Sequence, residues 1–216
     1  MDTRIPDRGD RAGVADRVDG SIRANGLEIL PSGHTGRAEL QQFIADAYAR
    51  AYGARVRHFA RTLVGLRHPD SRWNAAVGYT LAGPDPLYLE QYLDQPVEVA
   101  VTERVGVPVR RDELVEVSNL AAASTGAARE IIVHMTALLN RLGRSWVVLT
   151  STKALLNSFA RLDIRPIRIA PADPRRLPDG GVSWGTYYAS QPWVVTASIP
   201  LGYARLAARN YVLGAQ

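Results

Sequence analysis

Residues 113–150 leave this chain few folds to choose from. Residues 114–120 alternate and are rich in strand formers. The run Ala121-Ala122-Ala123-Ser124-Thr125-Gly126 carries only small side chains. Ile131, Met135, Leu138, Leu139 and Leu142 then recur at three- and four-residue steps, the spacing of one buried helical face over residues 127–142. Gly143 stops that helix, and Trp146-Val147-Val148-Leu149-Thr150 reads as a buried strand. Strand, helix and strand in succession are joined by a right-handed crossover, so strands 114–120 and 146–150 are expected as parallel neighbours. A helix over 153–162 and a strand over 167–170 extend the unit.

The flanking segments add to it. Thr35 is the expected cap of a helix over 36–52, whose Leu40, Phe43, Ile44, Tyr48 and Tyr52 share one face and which Gly53 ends. Residues 54–69 have no decisive period. Residues 73–81 read as a strand, Gly83-Pro84-Asp85-Pro86 as a turn and 87–93 as a short helix. Asp94 is the expected cap of another helix, with Pro96 in its first turn. Residues 193–198 read as a strand and 200–208 as a last helix. Residues 1–33, rich in Asp, Arg and Gly, read as a mobile arm with a short strand at 26–30.

Composition excludes whole classes. With 216 residues, 46% hydrophobic and 22% charged, the chain suits one globular domain rather than a disordered, collagenous or coiled-coil protein. Its longest apolar runs are far too short to span a bilayer. Cysteine is absent, which removes disulfides, thiolate nucleophiles and thiolate metal sites. The four histidines show no ligand spacing, so no metal is expected. No apolar run follows Met1-Asp2-Thr3-Arg4, so a cytoplasmic location is expected. The net charge is +5, yet Lys153 is the single lysine among 26 basic residues. Arginine in place of lysine, with abundant Ala and Gly, is the mark of GC-rich coding and no argument for a nucleic-acid partner. A basic chain still favours acidic partners, such as phosphorylated cofactors, carrier proteins or anionic lipid.

There is no phosphate loop ending Gly-Lys-Ser/Thr, no His-Glu-x-x-His, no Gly-x-Ser-x-Gly and no Gly-x-Gly-x-x-Gly. Ser124-Thr125-Gly126 either lets backbone N–H groups approach a phosphate at a helix N-terminus or is a plain capped turn. On an alternating strand Glu116 shares a face with Leu114, Ser118 and Leu120. A carboxylate buried there needs an arginine, a substrate amine or a cleft.

Five stretches, in order, carry a resemblance: Leu87-Tyr88-Leu89-Glu90-Gln91-Tyr92-Leu93, Val115-Glu116-Val117-Ser118-Asn119-Leu120-Ala121, Trp146-Val147-Val148-Leu149-Thr150-Ser151-Thr152, Ser158-Phe159-Ala160-Arg161-Leu162 and Trp184-Gly185-Thr186-Tyr187-Tyr188. Over residues 36–200 the chain resembles the thermostable hemolysin family, with Ser118 where the family usually has Gly, and Arg161-Leu162-Asp163-Ile164 where it has Arg-Leu-Gly-Leu. That family in turn resembles GNAT-type acyltransferases and acyl-homoserine-lactone synthases. The resemblance implies an α/β fold: one GNAT-like domain over 34–216, with a central mixed β-sheet flanked by helices.

It also implies roles. Ala123-Ser124-Thr125-Gly126-Ala127-Ala128 is similar to the acetyltransferase Arg/Gln-x-x-Gly-x-Gly/Ala pattern except at its first position. By that likeness Ser124, Thr125, Gly126, Ala127, Ala128 and Arg129 would hold coenzyme A or the phosphopantetheine of an acyl carrier protein. A backbone N–H near Leu120 or Ala121 would polarise the thioester, and Asn157 and Phe159 would flank the pantetheine. Glu116-Val117-Ser118-Asn119-Leu120 is similar to the Glu-x-Ser-Arg-Phe of the lactone synthases, with Asn119 in place of Arg. The implied reaction is direct attack of a small amine on an acyl thioester. Glu116, or else Glu90, handles the amine proton, and Tyr187 or Tyr188 protonates the thiolate. Packing is the alternative role for the two tyrosines, and core or rim packing the simplest one for Trp184 and Trp193. Arg129, Arg141, Arg144 and Lys153 are candidates to meet phosphates or an acidic carrier surface. Two other function classes stand beside this one. The first is membrane lysis, for which the sequence offers no spanning segment and no amphipathic hairpin. The second is a non-catalytic ligand-binding module.

Overall fold

The computed structural model describes residues 17–18, 21–24 and 27–211; most of the expected arm lies outside the described residues. The described strands are β1 (Arg17–Val18), β2 (Ser21–Ala24), β3 (Leu27–Pro31), β4 (Thr62–Arg67), β5 (Trp73–Leu81), β6 (Leu114–Ala122), β7 (Trp146–Ser151), β8 (Ile167–Pro171) and β9 (Trp193–Ser198). They form one sheet in the order β1-β2-β3-β4-β5-β6-β7-β9-β8. Only β6 and β7 run parallel, as the crossover through α3 (Thr125–Arg141) requires; every other pair is antiparallel.

Helices cover both faces. α3, α4 (Lys153–Arg161) and α5 (Ile199–Ala208) pack on one, where Ile131, Met135, Leu138 and Leu139 lie against Val64, Val77 and Val115. On the other, Leu40 and Ile44 of α1 (Arg37–Tyr52) bury against Leu30, Leu63, Ala76 and Ala121. α2 (Val97–Val105) packs beside them over Leu114, Val148 and Val194. Each fully buried Leu, Ile or Val contributes about 1.5–3 kcal/mol, so the alternation of β6 between these two faces fixes its orientation.

Four details differ from the sequence reading. β3 sits inside the sheet, paired with β4 and with Leu27 and Leu30 fully buried. β3 thus lies within the span expected as an arm. α1 is capped at Gly36 rather than Thr35; as expected, Gly53 ends it, in the left-handed region at φ 64°. The ambiguous stretch 54–69 contains β4, a continuous apolar run buried on both faces and so without a two-residue period. α2 takes Pro96 as its N-cap, and it is the Glu90 carboxylate rather than Asp94 that accepts the Val97 N–H.

Candidate active site

The site lies where β6 and β7 part. Their pairing runs from Leu114↔Trp146 to Val117↔Leu149 and stops there. On its other side β6 has a bulge, for Gly78↔Ser118 is followed by Ala76↔Ala121, leaving Asn119 and Leu120 without a partner on either neighbour. Asn119 holds the bulge with φ +55°. Its buried side chain accepts from the Ala60 N–H at 2.9 Å and donates to the His58 carbonyl at 3.0 Å. The bulge also reverses the alternation. Leu120 packs with Val117 beneath α3, on the face opposite Leu114 and Glu116, so the expected sharing of one face by Glu116 and Leu120 is corrected.

A cavity of about 470 Å³ opens at this split and runs beneath α3, α4 and α5. Its inner wall is apolar, with Ile131, Met135, Leu139, Val147, Leu149 and Ile199. A smaller chamber of about 50 Å³ adjoins it, sharing Val117, Ser118, Asn119, Thr150 and Tyr187. Tyr48 is shared as well, and Glu116, His58, Tyr88, Tyr92, Trp184 and Tyr188 complete the smaller one.

Glu116 is 5% exposed. Among the described residues it meets no arginine; its two oxygens accept from the Tyr88 N–H at 2.8 Å and the Leu89 N–H at 3.1 Å. Burial pushes its carboxyl up to about 7, against the pull of those two bonds. Glu116 is therefore poised to exchange a proton near neutral pH. Glu90 is differently placed. Burial favours its neutral form, but Arg111 and the N–H groups of Val97 and Leu87 outweigh that and hold it ionised below the usual range. Four donors surround it: Arg111 at 2.7 and 3.0 Å, Leu87 N at 2.6 Å and Val97 N at 3.0 Å. It lines neither cavity and braces the segment that supplies Tyr88, which corrects its place as a second base.

Tyr187 is buried and lines both cavities, with burial raising its hydroxyl far above the ordinary tyrosine value. Tyr188 hydrogen-bonds Tyr92 hydroxyl to hydroxyl at 2.5 Å. The wall they stand in depends on Gly185, at φ +53°, where a Cβ would lie 2.1 Å from the Tyr52 carbonyl oxygen. The same carbonyl accepts the Thr186 N–H, clamping the segment to the end of α1.

Of the residues expected to hold the donor, Leu120, Ser124, Thr125 and Ala128 line the large cavity. Ser124 caps α3 by accepting the Ala127 N–H at 3.1 Å, and Thr125 and Gly126 form the exposed first turn. Ala121 is buried against α1, and Gly126, Ala127 and Arg129 stand beside the lining rather than in it. Asn157 is exposed and outside the lining; α4 presents Ala154, Leu155, Ser158 and Phe159 instead. Arg141 and Arg144 sit at the far end of α3, roughly 25 Å from Ser124 at 1.5 Å per residue, and Arg144 is tied to the Asp112 carbonyl. That distance removes both as phosphate partners.

Sequence reasoning missed His58, Tyr48, Tyr88 and Tyr92. His58 stacks on Tyr88, ring centroids 4.5 Å apart, and burial lowers its pKa. Tyr88 and Tyr92 stand four residues apart on one 3-10 turn, an aromatic pair visible in the sequence; His58 lies in the stretch with no period.

A mixed sheet whose parallel central pair opens over a crossover helix defines a GNAT-like α/β protein. The acyl-homoserine lactone synthase LasI shares the fold, with TM-score 0.59, 11% identity, and 88% of this chain and 97% of that one covered. So does FeeM, an N-acyl amino acid synthase from uncultured soil microbes, with TM-score 0.55, 14% identity, and 83% and 98% covered. BjaI, a CoA-dependent acyl-homoserine lactone synthase solved with SAM and isopentyl-CoA, aligns with TM-score 0.54, 11% identity, and 86% and 89% covered. No curated protein matches the chain by sequence. The thermostable hemolysin family model matches residues 30–203, and the chain belongs to that family.

Proposed function

We propose that this protein is an N-acyltransferase, moving an acyl group from a coenzyme A or carrier-protein thioester to a small amine. The observation that carries the reading is the split between β6 and β7, which opens at one point onto both a long apolar cavity and a chamber holding a buried, unpaired Glu116. A cavity of this size falls within the about 300–1,000 Å³ typical of small-molecule sites. The pantetheine arm enters the split, its phosphates near the Thr125 and Gly126 N–H groups, and the acyl chain runs into the apolar cavity. The likeness of fold to LasI, FeeM and BjaI supports the class of reaction.

The amine enters as its ammonium form and gives one proton to the Glu116 carboxylate, directly or through water. Its nitrogen attacks the thioester carbon, forming the C–N bond. A backbone N–H at the unpaired Asn119–Leu120 bulge meets the developing oxyanion. Collapse breaks the C–S bond. As the thiolate departs, the second proton of the attacking nitrogen is relayed to it, a transfer we assign to the Tyr187 or Tyr188 hydroxyl; the products are an amide and a free thiol. Chain-length-dependent stabilisation tests this reading. The melting temperature is followed against coenzyme A, acyl-coenzyme A of increasing length and acyl-loaded carrier protein, with amide product scored by mass spectrometry. A rise that grows with chain length is expected. No rise with any donor, from folded protein, overturns it.

The family's name suggests membrane action. Among the described residues no helix is long and apolar enough to cross a membrane.

A further inference from the structure

We propose that the acceptor is a small primary amine without a carboxylate, and that the chamber beside Glu116 is an ammonium box closed to α-amino acids. This deepens the acyl-transfer reading and rests on it. Each Glu116 oxygen accepts one backbone N–H, which leaves about half of the roughly four acceptor positions of a carboxylate free. Most of the walls around it are rings, from Tyr48, His58, Tyr88, Tyr92, Trp184, Tyr187 and Tyr188, and the sheet adds Val117 and the neutral polar side chains of Ser118, Asn119 and Thr150. Among the described residues no arginine or lysine lines the chamber. The charges that reach it are negative. Asp179, held ionised by Ser183, acts on the Tyr88 and Tyr188 hydroxyls, and Glu90 acts on Glu116 while its own charge is matched by Arg111. Partial burial disfavours the charged form of His58, and Arg57 beside it is exposed.

An ammonium suits this place. It donates to the free positions of Glu116, and π-systems attract cations. In an α-amino acid the carboxylate sits on the very carbon that bears the amine, so it must enter with it. There it meets another carboxylate, ring π-systems and neutral polar groups but, among the described lining residues, no arginine or lysine, and a buried charge without a counter-ion is strongly unfavourable. The chamber is also small: about 50 Å³ holds only a few water-sized groups, so the reacting end of the amine is slim.

The test uses matched pairs: ethanolamine with serine, isoamylamine with leucine, phenethylamine with phenylalanine. Binding to the donor-free full-length protein is measured by calorimetry, and thiol release is measured separately with the acyl thioester. The amine of at least one pair should bind about tenfold or more tighter than its amino acid, the scale of an unpaired charge. His58→Arg, which supplies the missing cation at the chamber, should narrow that ratio by about tenfold. Equal or tighter binding of the amino acids, or no binding by any amine, overturns the inference. Failure of the acyl-transfer reading looks different: amines bind, yet no thioester raises the melting temperature or releases thiol.

Discussion

Glu116 and Glu90 stand on neighbouring segments and do opposite things, because among the described residues one carboxylate has an arginine and the other has none. The difference is measurable. Burial raises the Glu116 carboxyl from 4.5 to about 7, so across that window the folded state keeps a proton that the unfolded state has released. Stability should therefore fall as pH rises through the window, by about 3 kcal/mol in all, relative to a Glu116→Gln variant that has no such proton. Urea unfolding of the two proteins at pH 4 through 9 gives this difference directly; parallel curves would contradict it. The same variant should lose about 100-fold or more in turnover while still binding thioester. For Glu90 the sign reverses. Its contribution is present above the ordinary carboxylate range and is lost as pH falls through its depressed folded value. Glu90→Ala leaves Arg111 with Glu98 alone and removes the acceptor of the Leu87 and Val97 N–H groups, and should cost about 2 kcal/mol near neutral pH, with turnover at low denaturant largely kept. The importance of Glu116 was legible in the sequence, since a carboxylate in an alternating strand demands explanation. Its partners were not, because backbone N–H groups from residues 88 and 89 have no sequence signature.

At the scale of the element, the bulge in β6 shapes the site. Asn119 tolerates a positive φ and ties the bulge to residues 58 and 60. Asn119→Ala removes both bonds and keeps the strained backbone, so it should destabilise by about 2–3 kcal/mol, with Asn119→Gly milder. Thermal unfolding ranks them, and the reverse order would refute the role given to φ. Strand and helix periods made β5, β6, β7, α3 and α4 readable, because each buries one face or stays apolar throughout. A bulge breaks a period after it has been counted, which is why Leu120 was placed on the wrong face. α4 shows the same limit: its helix was legible, but which residues face the cavity follows from how it docks, and Asn157 faces solvent while Ser158 and Phe159 do not.

Across the whole molecule, the cavity ties ligand to stability. A donor bound only by the folded state stabilises it by about 2.7 kcal/mol at a hundredfold excess over its dissociation constant. The chain it accepts should depend on Gly202 of α5, which lines the cavity and where a Cβ meets only Thr136, at 3.7 Å. Gly202→Leu should shift the preferred donor to a shorter acyl chain, read as the length that gives the largest rise in melting temperature; an unchanged optimum would show that the chain lies elsewhere. The α/β class and the parallel pair followed from the central unit. The aromatic box did not, because its walls come from residues 48–58, 88–92 and 184–188, which only the finished sheet brings together.

That assembly has a consequence for timing. β9, late in the chain, inserts between β7 and β8, and Thr186 reaches back to the Tyr52 carbonyl across 134 residues. A chain still emerging from the ribosome has neither its closing strand nor its second aromatic wall, and such distant contacts form late. The two cavities and their aromatic walls are therefore completed together, once β9 and residues 184–188 are in place, and a chain that lacks these segments has no half-built site.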